Sequence, residues 1–149
     1  MATIINGTNL VLKVDDSASP SSGGVTTIAA ATSCTLSLTI DVSEVTDKSS
    51  LDRKEFIGLS TSWTCDAEVF YNEDGSVNPA TLFPRAYGDG STSTPNGNTY
   101  PTKVYVEFDG GANEYQGEGF ISSISMTGGT EDAASYSVSI QGTGQLSKV

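Results

Sequence analysis

Histidine is missing altogether from the 149-residue sequence. Its absence removes the usual general base near neutral pH, the usual zinc or copper ligand, and every mechanism that pairs histidine with a serine or cysteine nucleophile. Cysteine is scarce, and two residues make no disulfide scaffold. Acidic residues outnumber basic ones 18 to 7, and the formal net charge of −11 argues against autonomous binding to nucleic acid or to an anionic membrane surface. No apolar run approaches the length of a membrane span, and Met1–Asn6 lacks the basic start of a secretion signal. We therefore expect no membrane partner and folding in a cytoplasm.

Charge of either sign is sparse, 17% of residues against a usual ~25%. Serine and threonine fill the gap with 21 and 18 residues. Both are poor helix formers and threonine favours strands, while 16 Gly and 5 Pro supply turns. This composition predicts an all-β fold, most simply a β-sandwich. The length suits a single domain over 1–149 whose core needs neither metal nor disulfide.

Period-two patterning marks the strands. Leu10, Leu12 and Val14 alternate with Asn9, Val11 and Lys13. After the polar loop Asp15–Gly24, Val25–Ala31 reads as the returning strand. The cleanest pattern is Thr32–Ser43, with Cys34, Leu36, Leu38, Ile40 and Val42 on one face and Thr35, Ser37, Thr39, Asp41 and Ser43 on the other. One face requires burial and the other water. Thr61–Tyr71 repeats the arrangement, with Trp63, Cys65, Ala67, Val69 and Tyr71 opposite Ser62, Thr64, Asp66, Glu68 and Phe70. Lys103–Phe108 is directed inward through Val104, Val106 and Phe108, Glu118–Thr127 through Phe120, Ile124 and Met126, and Ser135–Gln141 through Tyr136, Val138 and Ile140.

One short flanking helix is expected after the N-cap Asn78, starting at Pro79, with Leu82, Phe83 and Ala86 covering one side, Pro84 limiting it and Gly88 as its stop. Between the two best strands the period fails. An extended arm over about 44–59 gathers Lys48, Arg53 and Lys54 among Glu44, Asp47, Asp52 and Glu55, and ends on apolar Phe56, Ile57 and Leu59 with no obvious strand partner. So long a connection is unusual in a compact domain; it reads as a solvated loop or as an intermolecular contact arm.

No constellation supports catalysis. Asp66 and Glu68 share a strand face, whereas a glycosidase pair works across a cleft from distinct environments. Asn72-Glu73-Asp74-Gly75 and Asp15-Asp16 lack the ligand spacing of a calcium loop. Cys34 and Cys65 fall on apolar faces, as small core side chains do. Gly117-Glu118-Gly119 lies inside a strand pattern, where a bulge or close packing accounts for it. We expect no enzyme activity, no cofactor and no metal. The unusual feature is the wet face itself: four strands present Ser, Thr, Asp, Glu and Gln, and no Lys or Arg occurs from Val104 to Ser147. An ordinary solvent face mixes both signs. A face without cations is suited to leaving a polyanion unheld.

Taken in order, these segments resemble the major tail tube proteins of long-tailed bacteriophages. The last third carries the resemblance best: Glu118-Gly119-Phe120-Ile121-Ser122-Ser123-Ile124-Ser125-Met126, a turn, then Ala134-Ser135-Tyr136-Ser137-Val138-Ser139-Ile140-Gln141-Gly142-Thr143-Gly144. Asp41-Val42-Ser43, a polar loop, Arg53-Lys54-Glu55-Phe56-Ile57-Gly58-Leu59 and Ser62-Trp63-Thr64-Cys65-Asp66-Ala67 agree, as does the start, Asn6–Val14. The basic pair Arg53-Lys54 departs from the single basic residue expected there.

The resemblance implies a β-sandwich or partial barrel with a flanking helix. Six copies would form a hexameric ring, each contributing strands to a continuous inner barrel. Stacked rings would make the tail tube of a virion, through which DNA passes without specific binding. Tape-measure, tail-terminator and distal-tail proteins would be its partners. On this reading Asp41, Asp66 and Glu68 line the lumen, while Lys48, Arg53, Lys54, Phe56 and Ile57 form an inter-subunit arm. Two alternatives stand beside it. One is the inner-tube protein of a contractile tail or injection system. The other is a secreted carbohydrate-binding β-sandwich module using Tyr100, Tyr105 and Tyr115.

Overall fold

A computed structural model describes residues 11–15, 23–28, 31–50, 53–71, 77, 79–86, 103–111 and 113–149. Leu10, Asn78, Gly88, Tyr100, the turn 72–75, the loop 89–99 and most of the loop 15–24 lie outside them. The elements run β1 (Val11–Asp15), β2 (Thr26–Thr27), β3 (Ala31–Glu44), β4 (Phe56–Phe70), α1 (Pro79–Ala86), β5 (Val104–Asp109), β6 (Glu114–Thr127) and β7 (Ser135–Lys148). The strands form one antiparallel sheet in the order β2-β1-β5-β6-β7-β4-β3. β1 and β3 approach each other across the interior without pairing, so the sheet curls towards closure. Of the two forms expected from sequence, this is the partial barrel.

The alternating apolar residues fill the concave side. Leu12, Val14, Cys65, Val69, Val104, Val106, Val138 and Ile140 are all buried there. Each such side chain contributes about 1.5–3 kcal/mol by leaving water. Helix α1 packs against β6 and drops Leu82 into the core. Arg85 in its last turn favours the carbonyl end of the helix dipole. The expected covering side of the helix is only partly realised: Leu82 is buried, but Phe83 is 48% exposed.

Trp63 sits beneath β6 and β7, where two glycines make room for it. A Cβ on Gly117 would lie 2.7 Å from the indole Cζ2, and a Cβ on Gly142 would collide with the ring itself. Gly117 coincides with a shift in register between β6 and β7, as expected of a glycine inside a strand pattern. The buried indole Nε1 finds no hydrogen-bond partner among the described residues.

Several boundaries differ from the sequence reading. The returning strand Val25–Ala31 shrinks to β2, two residues long. β6 begins at Glu114 and β7 continues to Lys148, both well beyond the apolar alternation. Within β6, a second register shift between Ile121 and Ser123 changes the facing. It puts Ile121 in the core and leaves Phe120 half-buried, the reverse of the expected assignment. A bulge of this kind swaps faces because side chains alternate strictly on either side of it.

The largest difference lies in the arm. Phe56 and Ile57 do have a strand partner: they begin β4, with Glu44↔Phe56, Ser43↔Ile57 and Val42↔Gly58 paired to β3, and Leu59 follows in β4 at the register shift. Only 45–55 lies between the strands, closed by Val45 N–H donating to Glu55 O at 2.8 Å and containing one 3-10 turn at Lys48–Ser50. β4 pairs with β7 from Phe70 as far as Thr64. From Trp63 back to Phe56, β4 pairs only with β3 among the described residues, as a hairpin projecting from the barrel. Leu38 and Ile40, expected in the core, lie on this projection and are 65% and 63% exposed.

Candidate functional site

The convex face of β3, β4, β7 and β6 is built from cross-strand rows, since paired residues share a face. Thr35, Asp66 and Ser139 are successive partners across three strands, as are Ser33, Glu68 and Ser137. Ser123 and Ser125 extend the two rows onto β6. Together they form a shallow depression of roughly 350 Å³ lined by Ser33, Thr35, Asp66, Glu68, Ser137 and Ser139. Asp66 and Glu68 are both exposed on it.

Asp41 lies further along the same hairpin face. A register shift between Ile40 and Val42 sets it against Ser60, whose Oγ donates to Asp41 Oδ2 at 2.7 Å. Ser139 Oγ likewise donates to Asp66 Oδ1 at 2.5 Å, and Thr32 Oγ1 to the carbonyl of Glu68 at 3.0 Å. Three hydroxyls are thus donated to acceptors of β3 and β4, and the described residues of this face include no Lys or Arg. Asp66 and Glu68 stand side by side on a solvent-facing sheet, which gives no distinct acid and base.

The hairpin tip is held by local hydrogen bonds. Asp47 accepts from Ser49 N at 2.7 Å, Thr46 Oγ1 donates to Glu44 at 3.0 Å, and Glu55 N donates to Thr46 Oγ1 at 3.1 Å. Lys54 lies 3.8 Å from Glu44, both exposed, a pair worth little by itself. Lys48 and Arg53 are exposed and have no ion pair among the described residues. Pairing separates the two apolar arm residues: Phe56 shares the face of Val42, while Ile57 points with Ser43 to the other. Leu38, Ile40, Val42 and Phe56 thus continue the core-facing pattern outside the core, between 55% and 65% exposed.

Two features escaped the sequence reading. The first is a charge network on the face of β1, β5 and β6 turned away from the core. Lys13 Nζ donates to Asp109 Oδ2 at 2.8 Å and to buried Glu107 Oε1 at 3.1 Å. Gln116 Nε2 donates to the other Glu107 oxygen at 3.0 Å and Tyr105 Oη to Gln116 at 3.1 Å. The hydrogen bonds to Asp109 and Glu107 push the Lys13 ammonium above its usual range; those from Lys13 and from Gly111 N–H hold the Asp109 carboxyl below its own. Glu107, Asp109 and Glu114 are close enough to share a cation, and the Lys13 ammonium already lies against two of them. Only the antiparallel register of β1 on β5 brings these residues together. The second feature is an apolar groove of roughly 230 Å³ between α1 and the sheet, lined by Tyr71, Pro79, Phe83, Ile124 and Met126. Its signal in the sequence was Phe83 beside Leu82 in so short a helix.

Cys65 is buried and Cys34 half-buried, and neither is in a disulfide. Burial pushes the Cys65 thiol up to about 12 and raises that of Cys34, which keeps both in the unreactive protonated form near neutral pH.

The sequence profile of the phage tail tube proteins matches residues 4–148. No curated protein sequence matches the chain. Among solved structures, a subunit from the tail of an empty gene transfer agent particle, refined with C6 symmetry, superposes with a TM-score of 0.74 at 20% identity, covering 97% of this chain and 98% of that one. The tail tube of SPP1 gives 0.67 at 15% identity over 97% and 78%. A chain of the six-fold symmetrised anti-feeding prophage baseplate gives 0.63 at 13% identity over 100% and 97%.

Proposed function

Since the chain belongs to the phage tail tube protein family, a structural family of the virion tail, we propose that six copies close into a ring and that rings stack into the conduit for DNA. The observation that carries this reading is the cation-free face spanning four strands, bounded by two unsatisfied edges. β3 pairs only with β4, and β6 from Phe120 onwards has no partner on the β5 side, among the described residues. Such edges invite pairing with another chain. Different edges meeting head to tail generate a ring, and six-fold closure would turn the four-stranded faces into one continuous inner wall. The six-fold symmetry of the gene transfer agent tail is consistent with that number.

Asp41, Asp66 and Glu68 then face the lumen. A polyanion sliding past this wall meets like charge and neutral hydroxyls, and it has no cations against which to release counterions. The hairpin carrying Lys48, Arg53, Lys54, Phe56 and Ile57 reaches a neighbouring subunit, with the whole chain 1–149 acting as one tube domain. Subunits fold in the host cytoplasm before joining tape-measure, tail-terminator and distal-tail proteins. Electron microscopy of the purified protein or of tails containing it tests the reading. Tubes with six-fold rings are expected; a monomer at all concentrations and in the particle, or a ring of another order, would overturn it.

A further inference from the structure

The acids of the described residues divide by face. On β1, β5 and β6 they are balanced: Lys13 lies against Glu107 and Asp109, and Lys103 Nζ reaches Glu118 at 3.1 Å. Near the hairpin tip Lys54 faces Glu44. On the four-stranded face, Asp41, Asp66 and Glu68 are exposed, and none of them has an ion pair among the described residues. Ser60 and Ser139, which donate to Asp41 and Asp66, are neutral and leave the charge in place. Each subunit therefore brings three uncompensated carboxylates to this face.

Ring closure turns that charge into a field. Six four-stranded faces make a barrel of about 24 strands; at ~4.8 Å between strands and a tilt of ~40° its backbone radius is roughly 24 Å, and inward side chains leave a bore of roughly 18 Å radius. The 15 residues of β4 span about 38 Å of the axis at that tilt. Three carboxylates from each of six subunits in that volume amount to a fixed charge on the order of 0.5–1 M, several times a physiological salt of about 0.15 M. The Debye length is about 8 Å at that salt and about 30 Å at 0.01 M. The negative potential thus covers most of the bore's cross-section in physiological salt and fills it in dilute salt. Rings of Asp and Glu select cations in narrow pores by the same attraction; here the width of the bore makes the selection depend on salt.

We infer that the assembled tube is a cation-selective conduit, whose open bore passes small cations and holds back small anions, phosphorylated metabolites most strongly because exclusion grows with charge. The inference rests on the tube reading and adds an ion selectivity to it. The test lodges tubes, grown from concentrated protein or taken from tails, in a solid-state nanopore between KCl solutions of unequal concentration and reads the zero-current potential. Potassium should be favoured over chloride about tenfold or more near 0.01 M, roughly several-fold near 0.1 M and hardly at all near 1 M, as the Debye length shrinks. D66K/E68K should reverse the sign of the potential in dilute salt. D41N/D66N/E68Q, which changes little but charge, should assemble and lose the preference. Parent tubes without a preference for potassium near 0.01 M, or a preference unchanged in D41N/D66N/E68Q, would overturn this inference and leave the tube reading standing. Parent protein that builds no tube in either setting would overturn both.

Discussion

Lys13 bridges two carboxylates, and one of them, Glu107, is only 5% exposed. Replacing Lys13 by Met should cost about 1–3 kcal/mol at neutral pH, because a buried acceptor loses its charged partner. The pH dependence follows from the two shifts. Asp109 is held low, so its stabilising contribution is present above the ordinary carboxylate range and lost as pH falls through the depressed value. Lys13 is held high, so its contribution is complete below its ordinary value and lost only as pH rises through the raised one. Chemical denaturation of the parent and of K13M from pH 7 down to pH 2 should show a shallower acid limb in the variant; parallel curves would refute the linkage. At Gly142 the expected effect is steric. Gly142→Ala pushes a methyl into the Trp63 indole, and overpacking of this kind costs about 1–3 kcal/mol. The thermal midpoint should fall, and the emission of Trp63, the single tryptophan, should shift as its ring is displaced.

At the scale of elements, the inward faces of β1, β4, β5 and β7 were legible, since Leu12, Val14, Trp63, Cys65, Val104, Val106, Val138 and Ile140 alternate as buried strand residues must. The facing of β6 was not, because nothing in Phe120-Ile121-Ser122-Ser123-Ile124 marks which residue the sheet will skip. The end of β7 escaped for a different reason: Gly142-Thr143-Gly144-Gln145 has no apolar period, and its strand character comes from pairing with β6. The polar faces of Asp66 and Glu68 were visible in the alternation, whereas the groove required knowing that α1 lies on β6. Phe56 and Ile57 hid their strand because an apolar face outside the core has no intramolecular reason to alternate. The tip itself is separable from the barrel. Deleting Asp47–Lys54 removes no β4–β7 pair and, among the described residues, no buried side chain, so it should leave a folded monomer by circular dichroism that no longer polymerises by light scattering. Normal tubes from that deletion would make 45–55 an ordinary loop.

For the whole molecule, the wall should be functionally sensitive and structurally tolerant. Asp66 and Glu68 are exposed, so changing both to Lys should preserve fold and tube while slowing or stopping DNA release from reconstituted particles. Unchanged release, or a tube structure with these side chains on its exterior, would defeat the lumen assignment. The continuity of β4 has a mechanical consequence. Its 15 residues run unbroken from hairpin tip to groove. A pull applied between the hairpin tip and the far end of β4 passes through one covalent strand. β3 and β7 are loaded in shear along that strand, where many hydrogen bonds must yield together; peeling would break them one at a time. A subunit loaded between those two ends resists stretching along β4 far better than bending across it.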